Sequence, residues 1–359
     1  MRFQPPRCPR DDCPSLSSGH CRWCFKGRYL RACDGRFVQR FLCLECHRTF
    51  STQTFRVDYR LKKPHLNHDL IGPFVSKVTH RQAARILGCT RKTIAHRLEL
   101  LGSHCRDFHF QRLALARERG GLRGVFQLDE LETFEHSRRL QPVTMPVLIE
   151  RKSFFLVDLE TAALPCRGRL SEEDRLRKMG RERRHGVRRS GSREAVEKCF
   201  ETLAAHHESS GPVRVHTDRK SSYRTILVKR FGQRLEHERH SSKAKRDYKN
   251  PLFPINHTLA MMRDGISRLV RRTWAASKLR AKLERHAWIW LVWRNYVRPI
   301  TNRSARVTPA MALKVETKRW RPSEILAWRV LERHGFPHSE GDRFPQRSVP
   351  ESNRLATVK

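Results

Sequence analysis

The stretch GVFQLDELETFEH, residues 124–136, constrains this chain more than any other. Val125, Phe126 and Leu128 are the β-favouring apolar residues of a short buried strand, which then runs into Asp129, Glu130, Glu132 and Glu135. Four carboxylates in seven residues repel one another unless a cation stands between them, and a divalent metal is the obvious candidate. A solvated strand end paired with nearby arginines would answer the same charges, because structural ion-pair networks are common. Arginine is abundant here: 75 Lys and Arg against 36 Asp and Glu leave a formal charge of +39. Such a surplus repels itself unless a polyanion shares the surface, so nucleic acid is the expected partner. The 359 residues, 38% of them hydrophobic, predict two or three domains with at least one sizeable core.

Seven of the eleven cysteines precede residue 47: Cys8, Cys13, Cys21, Cys24, Cys33, Cys43 and Cys46. The opening MRFQPPRCPRDDCP has no apolar core of a signal peptide, and the apolar run 287–293 is far short of the ~18 residues of a membrane span. The expectation is a soluble cytoplasmic or nucleoid-associated protein with reduced thiols. Residues 1–55 read as a zinc ribbon in which two cysteine pairs close a tetrahedral thiolate site around a structural Zn²⁺. Cys43 and Cys46 are the firm half. The other half is either Cys8 with Cys13 or Cys21 with Cys24, and an Asp34-Gly35 hairpin would return Cys43 to whichever pair is used.

Over 67–101 the period becomes helical. Thr79 is a good N-cap, 80–87 forms one helix, Gly88-Cys89-Thr90 turns, and 91–101 forms the next. Ile94, Leu98 and Leu101 share a face, while Lys92, His96 and Glu99 lie opposite with Arg91 and Thr93 beside them, the pattern of a helix-turn-helix offering polar groups to a major groove. A DNA-binding domain over 65–105 follows, with Arg91, Lys92 and His96 as its contacts.

From 124 the period returns to strands: GVFQLDELETF, PVTMPVLIE and SFFLVDLET predict three sequential antiparallel strands. Residues 164–192 are charged and apolar-poor, and read as an exposed or partly disordered insertion. A helix over 193–207 precedes a fourth strand, PVRVHTD, which ends in a second acid, Asp218. INHTLAMMRDGISRLVRRTWAASK reads as a helix with Asn256 and Arg263 on one face, and Asn256 is also a good helix cap. Trp288, Trp290 and Trp293 on a later long helix read as core, a proline-bounded pair of short helices follows, and the tail after Gly335 looks unstructured.

The cysteine pairs, the helix pair, the strand-end Asp129, the strand end HTDRKSSY and the helix from Ile255 together resemble bacterial DDE-type insertion-sequence transposases, most nearly those with an N-terminal zinc ribbon. The resemblance runs from Cys8 to about Leu331. It implies a multidomain α/β chain: zinc ribbon 1–55, helix-turn-helix 65–105, a ribonuclease H-like core with a mixed sheet over 120–300, and C-terminal helices with a tail over 301–359. It further implies Asp129, Asp218 and Asn256 as catalytic ligands of Mg²⁺ or Mn²⁺, with Glu130 or Glu132 as substitutes for the third. Arg263, Arg268, Arg271 and Arg272 would meet phosphates, and the partner would be double-stranded DNA engaged by a homo-oligomer. The third ligand departs from the usual glutamate, and a neutral oxygen offsets less of the ion's charge. That departure keeps a second expectation open, a sequence-specific DNA-binding regulator with an inactive transposase core.

Overall fold

The computed structural model describes residues 3–10, 12–15, 21–241, 243–245, 247–270, 274–301 and 306–329. At the N-terminus β1 (Trp23–Leu30), β2 (Phe37–Cys43) and β3 (Thr49–Ser51) form an antiparallel sheet in that order. The hairpin turns where the Asp-Gly pair predicts: Gly35 has φ +66° and its N–H donates to Arg31 O at 2.8 Å. Phe41, Phe50, Phe55 and three cysteines fill a small core of their own. Buried Arg31 then ties this sheet to the connector by donating to the carboxylate and carbonyl of Asp58.

The helical segment contains α1 (Leu66–Val75), α2 (His80–Ile86) and α3 (Arg91–Glu118). Thr79 caps α2 in a reciprocal box with Gln82, and Thr90 caps α3 through the N–H of Thr93. α3 runs for 28 residues, well beyond the expected end near Leu101. Its second half is held by burial: Cys105, Phe108 and Leu113 enter the main core, and buried His109 bonds Tyr296 and the carbonyl of Val157.

That core surrounds a six-stranded mixed sheet made of β4 (Val125–Phe134), β5 (Pro142–Glu150), β6 (Leu156–Leu159), β7 (Ala162–Ala163), β8 (Val213–Asp218) and β9 (Leu235–His240). The order is β6-β5-β4-β8-β9, with β7 on β5. β4, β5 and β6 pair antiparallel as expected, whereas β8 and β9 join parallel on the other side of β4. Edge strand β9, LEHERH, carries too much charge to announce itself in the sequence.

The charged segment 164–192 departs from its expectation by forming a helix, α4 (Glu172–His185). None of its residues is buried. Ser171 caps it, three acids stand in the first turn and Arg183, Arg184 and His185 in the last, so capping and the helix dipole hold it in place of a core. α5 (Ser192–His206) and α6 (Ser221–Phe231) follow, and α7 (Phe253–Gly265) packs against β4 and β5. The helix expected to run from Ile255 to Lys278 ends at Gly265, where a Cβ would stand 2.3 Å from Trp290 Nε1, and a 3-10 turn Ser267–Leu269 takes over. Finally α8 (Arg280–Val292) crosses α3 closely at Gly102, and α9 (Pro309–Ala312) and α10 (Pro322–Ala327) are the proline-bounded pair. Trp288 and Trp290 are core, as expected. The tail after Gly335 lies outside the described residues.

Candidate functional site

Four sulfurs meet beneath the N-terminal sheet: Cys8, Cys13, Cys43 and Cys46 offer ligand atoms all within 4.8 Å of one another. Cys8 Sγ lies 3.8 Å from Cys46 Sγ, and Cys13 Sγ 3.7 Å from Cys43 Sγ. Thiolates about 2.3 Å from a tetrahedral ion stand about 3.8 Å apart, so the four fit a structural metal such as zinc. The choice between pairs is therefore decided for Cys8 and Cys13. Cys24 sits exposed on β1, and half-buried Cys21 packs beside the cluster, its thiol pushed up to about 11 by burial and by the charge of Cys43. Ser15 beside Cys13 pulls that thiol down to about 7, whereas burial pushes the Cys8 and Cys46 thiols up.

The parallel ladder of β4 and β8 pairs Gln127 with His216. Two residues further along each strand stand Asp129 and Asp218, half-buried and on the same side of the sheet. α7 is pinned to that side by Gln127, whose amide donates to Pro251 O at 2.6 Å and accepts from the N–H of Ile255 at 3.2 Å. Asn256 follows in the first turn of α7. It is not the cap: Leu252 occupies that position, and Asn250 Oδ1 receives the N–H of Leu252 at 2.8 Å. The half-buried Asn256 side chain hydrogen-bonds no other described residue. Asp129 and Asp218 thus lie on the side of the sheet that α7, which carries Asn256, covers.

Glu130 points the other way and is already occupied. Its Oε1 meets Lys220 Nζ and accepts from Tyr223 Oη at 2.8 Å; its Oε2 accepts from Thr144 at 2.7 Å and Ser192 at 2.8 Å. Burial raises the Tyr223 phenol, and the charges of Glu130, Asp129 and Asp218 add to that rise, so it remains a proton donor. Glu132 pairs with Arg167 at 2.7 Å, and Asp264 reaches out to Lys77. None of these acids is positioned with Asn256 as a third oxygen.

Arg91, Lys92 and His96 stand exposed on the first two turns of α3, whereas Glu99, expected on their face, ion-pairs with Lys282 of α8. Arg263 lies at this end of β4, donating to the carbonyls of Glu132 and Leu269. Arg268 is turned inward, donating to Ser277 Oγ at 3.1 Å with His80 Nε2 at 3.2 Å, and burial lowers it to about 10. Inter-element packing thus uses Arg268 where the sequence suggested a phosphate contact. Arg271 and Arg272 lie outside the described residues. No helix among the described residues is long and apolar enough to cross a membrane.

The chain matches no family model and no curated protein. Its chemistry must be read from its own geometry. Sequence reasoning overlooked Gln127, whose signal was a polar residue two positions before Asp129 on an otherwise apolar strand. It also overlooked the His216, Glu238 and His240 cluster, which the spacing HTD and ERH on two parallel strands brings together.

Proposed function

We propose that this protein is a divalent-metal-dependent DNA phosphoryl-transfer enzyme of the DDE transposase type. The observation that carries this reading is the β4/β8 register, which pairs Gln127 with His216 two residues before Asp129 and Asp218, with Gln127 docking the helix of Asn256 on that face. Three antiparallel strands continued by two parallel ones, with Asp129 midway along β4 and Asp218 at the end of β8, is the layout expected of a ribonuclease H-like core. Asp129, Asp218 and Asn256 would hold Mg²⁺ or Mn²⁺, and such ions supply activation of a water or 3′-hydroxyl and charge neutralisation at the DNA phosphate. The chain's own residues do the rest. Gln127 fixes the helix, and Lys220 and Tyr223 neutralise Glu130, so that the charge at the strand end is concentrated on Asp129 and Asp218.

In this reading α2 and α3 form the helix-turn-helix, Arg91, Lys92 and His96 face the major groove, and Arg263 adds salt-sensitive phosphate affinity. The four-cysteine module holds its zinc for structure, and the protein works as a homo-oligomer on nucleoid DNA. The neutral Asn256 favours a second reading, a DNA-binding regulator with an inactive core.

Mg²⁺-dependent cleavage and strand transfer on duplexes carrying the ends of the DNA flanking this coding sequence test the proposal. Asp129→Asn and Asp218→Asn should each abolish the reaction while leaving DNA binding within about twofold, since each removes a ligand charge with little change of shape. Activity surviving in either folded variant refutes the enzymatic site. A wild-type protein that binds those ends tightly yet never cuts them is the regulator.

A further inference from the structure

We infer that His216, Glu238 and His240 form a second metal site, distinct from the oxygen site of Asp129 and Asp218 and built for a nitrogen-preferring divalent ion, Zn²⁺ above all. Parallel pairing of β8 with β9 sets His216 beside Glu238 and Asp218 beside His240, all on one side of the sheet. His216 Nε2 lies 3.1 Å from Glu238 Oε2, while His240 Nε2 lies 3.4 Å from Glu238 Oε1 and 3.3 Å from His216 Nδ1. One ligand atom from each residue falls within 4.8 Å of the other two. Ligands about 2.0–2.2 Å from a common ion stand about 3.0–3.6 Å apart; His216 meets Glu238 and His240 through opposite ring nitrogens, only one of which can ligate, so a small side-chain adjustment from the 4.8 Å grouping closes the set.

The charge pattern supports the assignment. In a chain with 75 Lys and Arg, the only ion pairs Glu238 makes among the described residues are with these two histidines. Its neighbour one rung back, Glu236, instead takes an arginine, Arg214, at 2.6 Å. Two imidazoles and one carboxylate select Zn²⁺ over Mg²⁺, which requires oxygen ligands in near-octahedral array. Three protein ligands leave a coordination position open, as in reactive rather than purely structural zinc sites. Glu238 is exposed, so the open position is reachable from solvent, one strand from Asp218. A phosphate oxygen of bound DNA is the ligand it would take; this last step alone rests on the proposed function.

Metal counting on the full-length protein tests the site without any activity assay. After equilibration with micromolar Zn²⁺, the wild type should carry two equivalents per chain. His216→Ala, His240→Ala and Glu238→Gln should each carry one, Cys43→Ser should lose the other one, and Asp218→Asn should keep both. Because Glu238 is exposed, Glu238→Gln reports on the site even if a histidine variant fails to fold. A wild type holding a single equivalent, a Glu238→Gln protein holding two, or loss of the second equivalent in Asp218→Asn would each overturn the inference. A protein that never cleaves DNA yet takes the second ion would sink the proposed enzyme and leave this site standing.

Discussion

At the scale of single residues, Asn256 separates the two readings of the chain. Since Leu252 and Asn250 occupy the start of α7, Asn256 contributes no cap, and Asn256→Ala should change stability by less than about 0.5 kcal/mol. The same variant should lose metal-dependent cleavage, whereas Asn256→Asp should retain or raise it by restoring a charged ligand; thermal melts and cleavage assays on the two proteins decide, and full activity of Asn256→Ala removes the residue from the site. Two buried acids make a separate prediction. Burial raises Asp158 from its ordinary 3.8 to about 7, and burial together with the charges of Asp158 and Glu284 raises Glu160 from 4.5 to about 8. Between about pH 4 and pH 8 the fold therefore binds more protons than the unfolded chain, so these groups favour folding at low pH and their contribution is lost as pH rises through that window. Asp158→Asn preserves the shape that meets Thr202 and should flatten the pH dependence of the melting temperature over that range; an unchanged slope would show that the pair is not its source.

Among the elements, α7 is the one whose placement decides the site, and Gln127 is its fastening. Gln127→Leu leaves the Ile255 N–H without its partner, and Pro251 O likewise, which should cost about 1–3 kcal/mol and move Asn256 away from the strand ends. Denaturant unfolding should record that loss, and cleavage should fall further than DNA binding; equal stability to wild type would mean that α7 is held by its apolar face alone. α4 shows the opposite case, an element made by local terms. With Ser171 at its start, Glu173–Arg177 and Lys178–Glu182 pairs along its length and no buried residue, it forms on the surface from interactions that its own sequence encodes. α3 needs both kinds. Thr90 and the Ile94, Leu98 and Leu101 stripe were readable, but the polar residues His104, Arg106, Asp107 and His109 break the apolar period of the half that the core later buries.

For the whole molecule, the charge of +39 and the four-cysteine centre are separate features: under the proposed function the first would serve binding to DNA, and a metal held by the second would serve the folding of the N-terminal sheet. Cys43→Ser should release one metal equivalent and open residues 3–58 to protease while the six-stranded core stays resistant, because the small Phe41 cluster is separate from the main core. Digestion that spares the N-terminal segment would show that the metal is dispensable there. The sequence by itself determined the helix starts at Thr79 and Thr90, the Asp-Gly hairpin, the three antiparallel strands and the acid at the end of β8, since caps, turns and period-two alternation act over a few neighbouring residues; Asp129, expected at a strand end, lies midway along β4 because pairing with β5 carries that strand on to Phe134. Only the tertiary structure decided which cysteines meet, that Glu130 is held by four donors, that Arg268 turns inward, and that α7 is docked through Gln127 on the Asp129 side of the sheet. Those outcomes depend on strand register and on which helix covers which side of the sheet, and both are set by contacts between residues that lie many tens of positions apart in the chain.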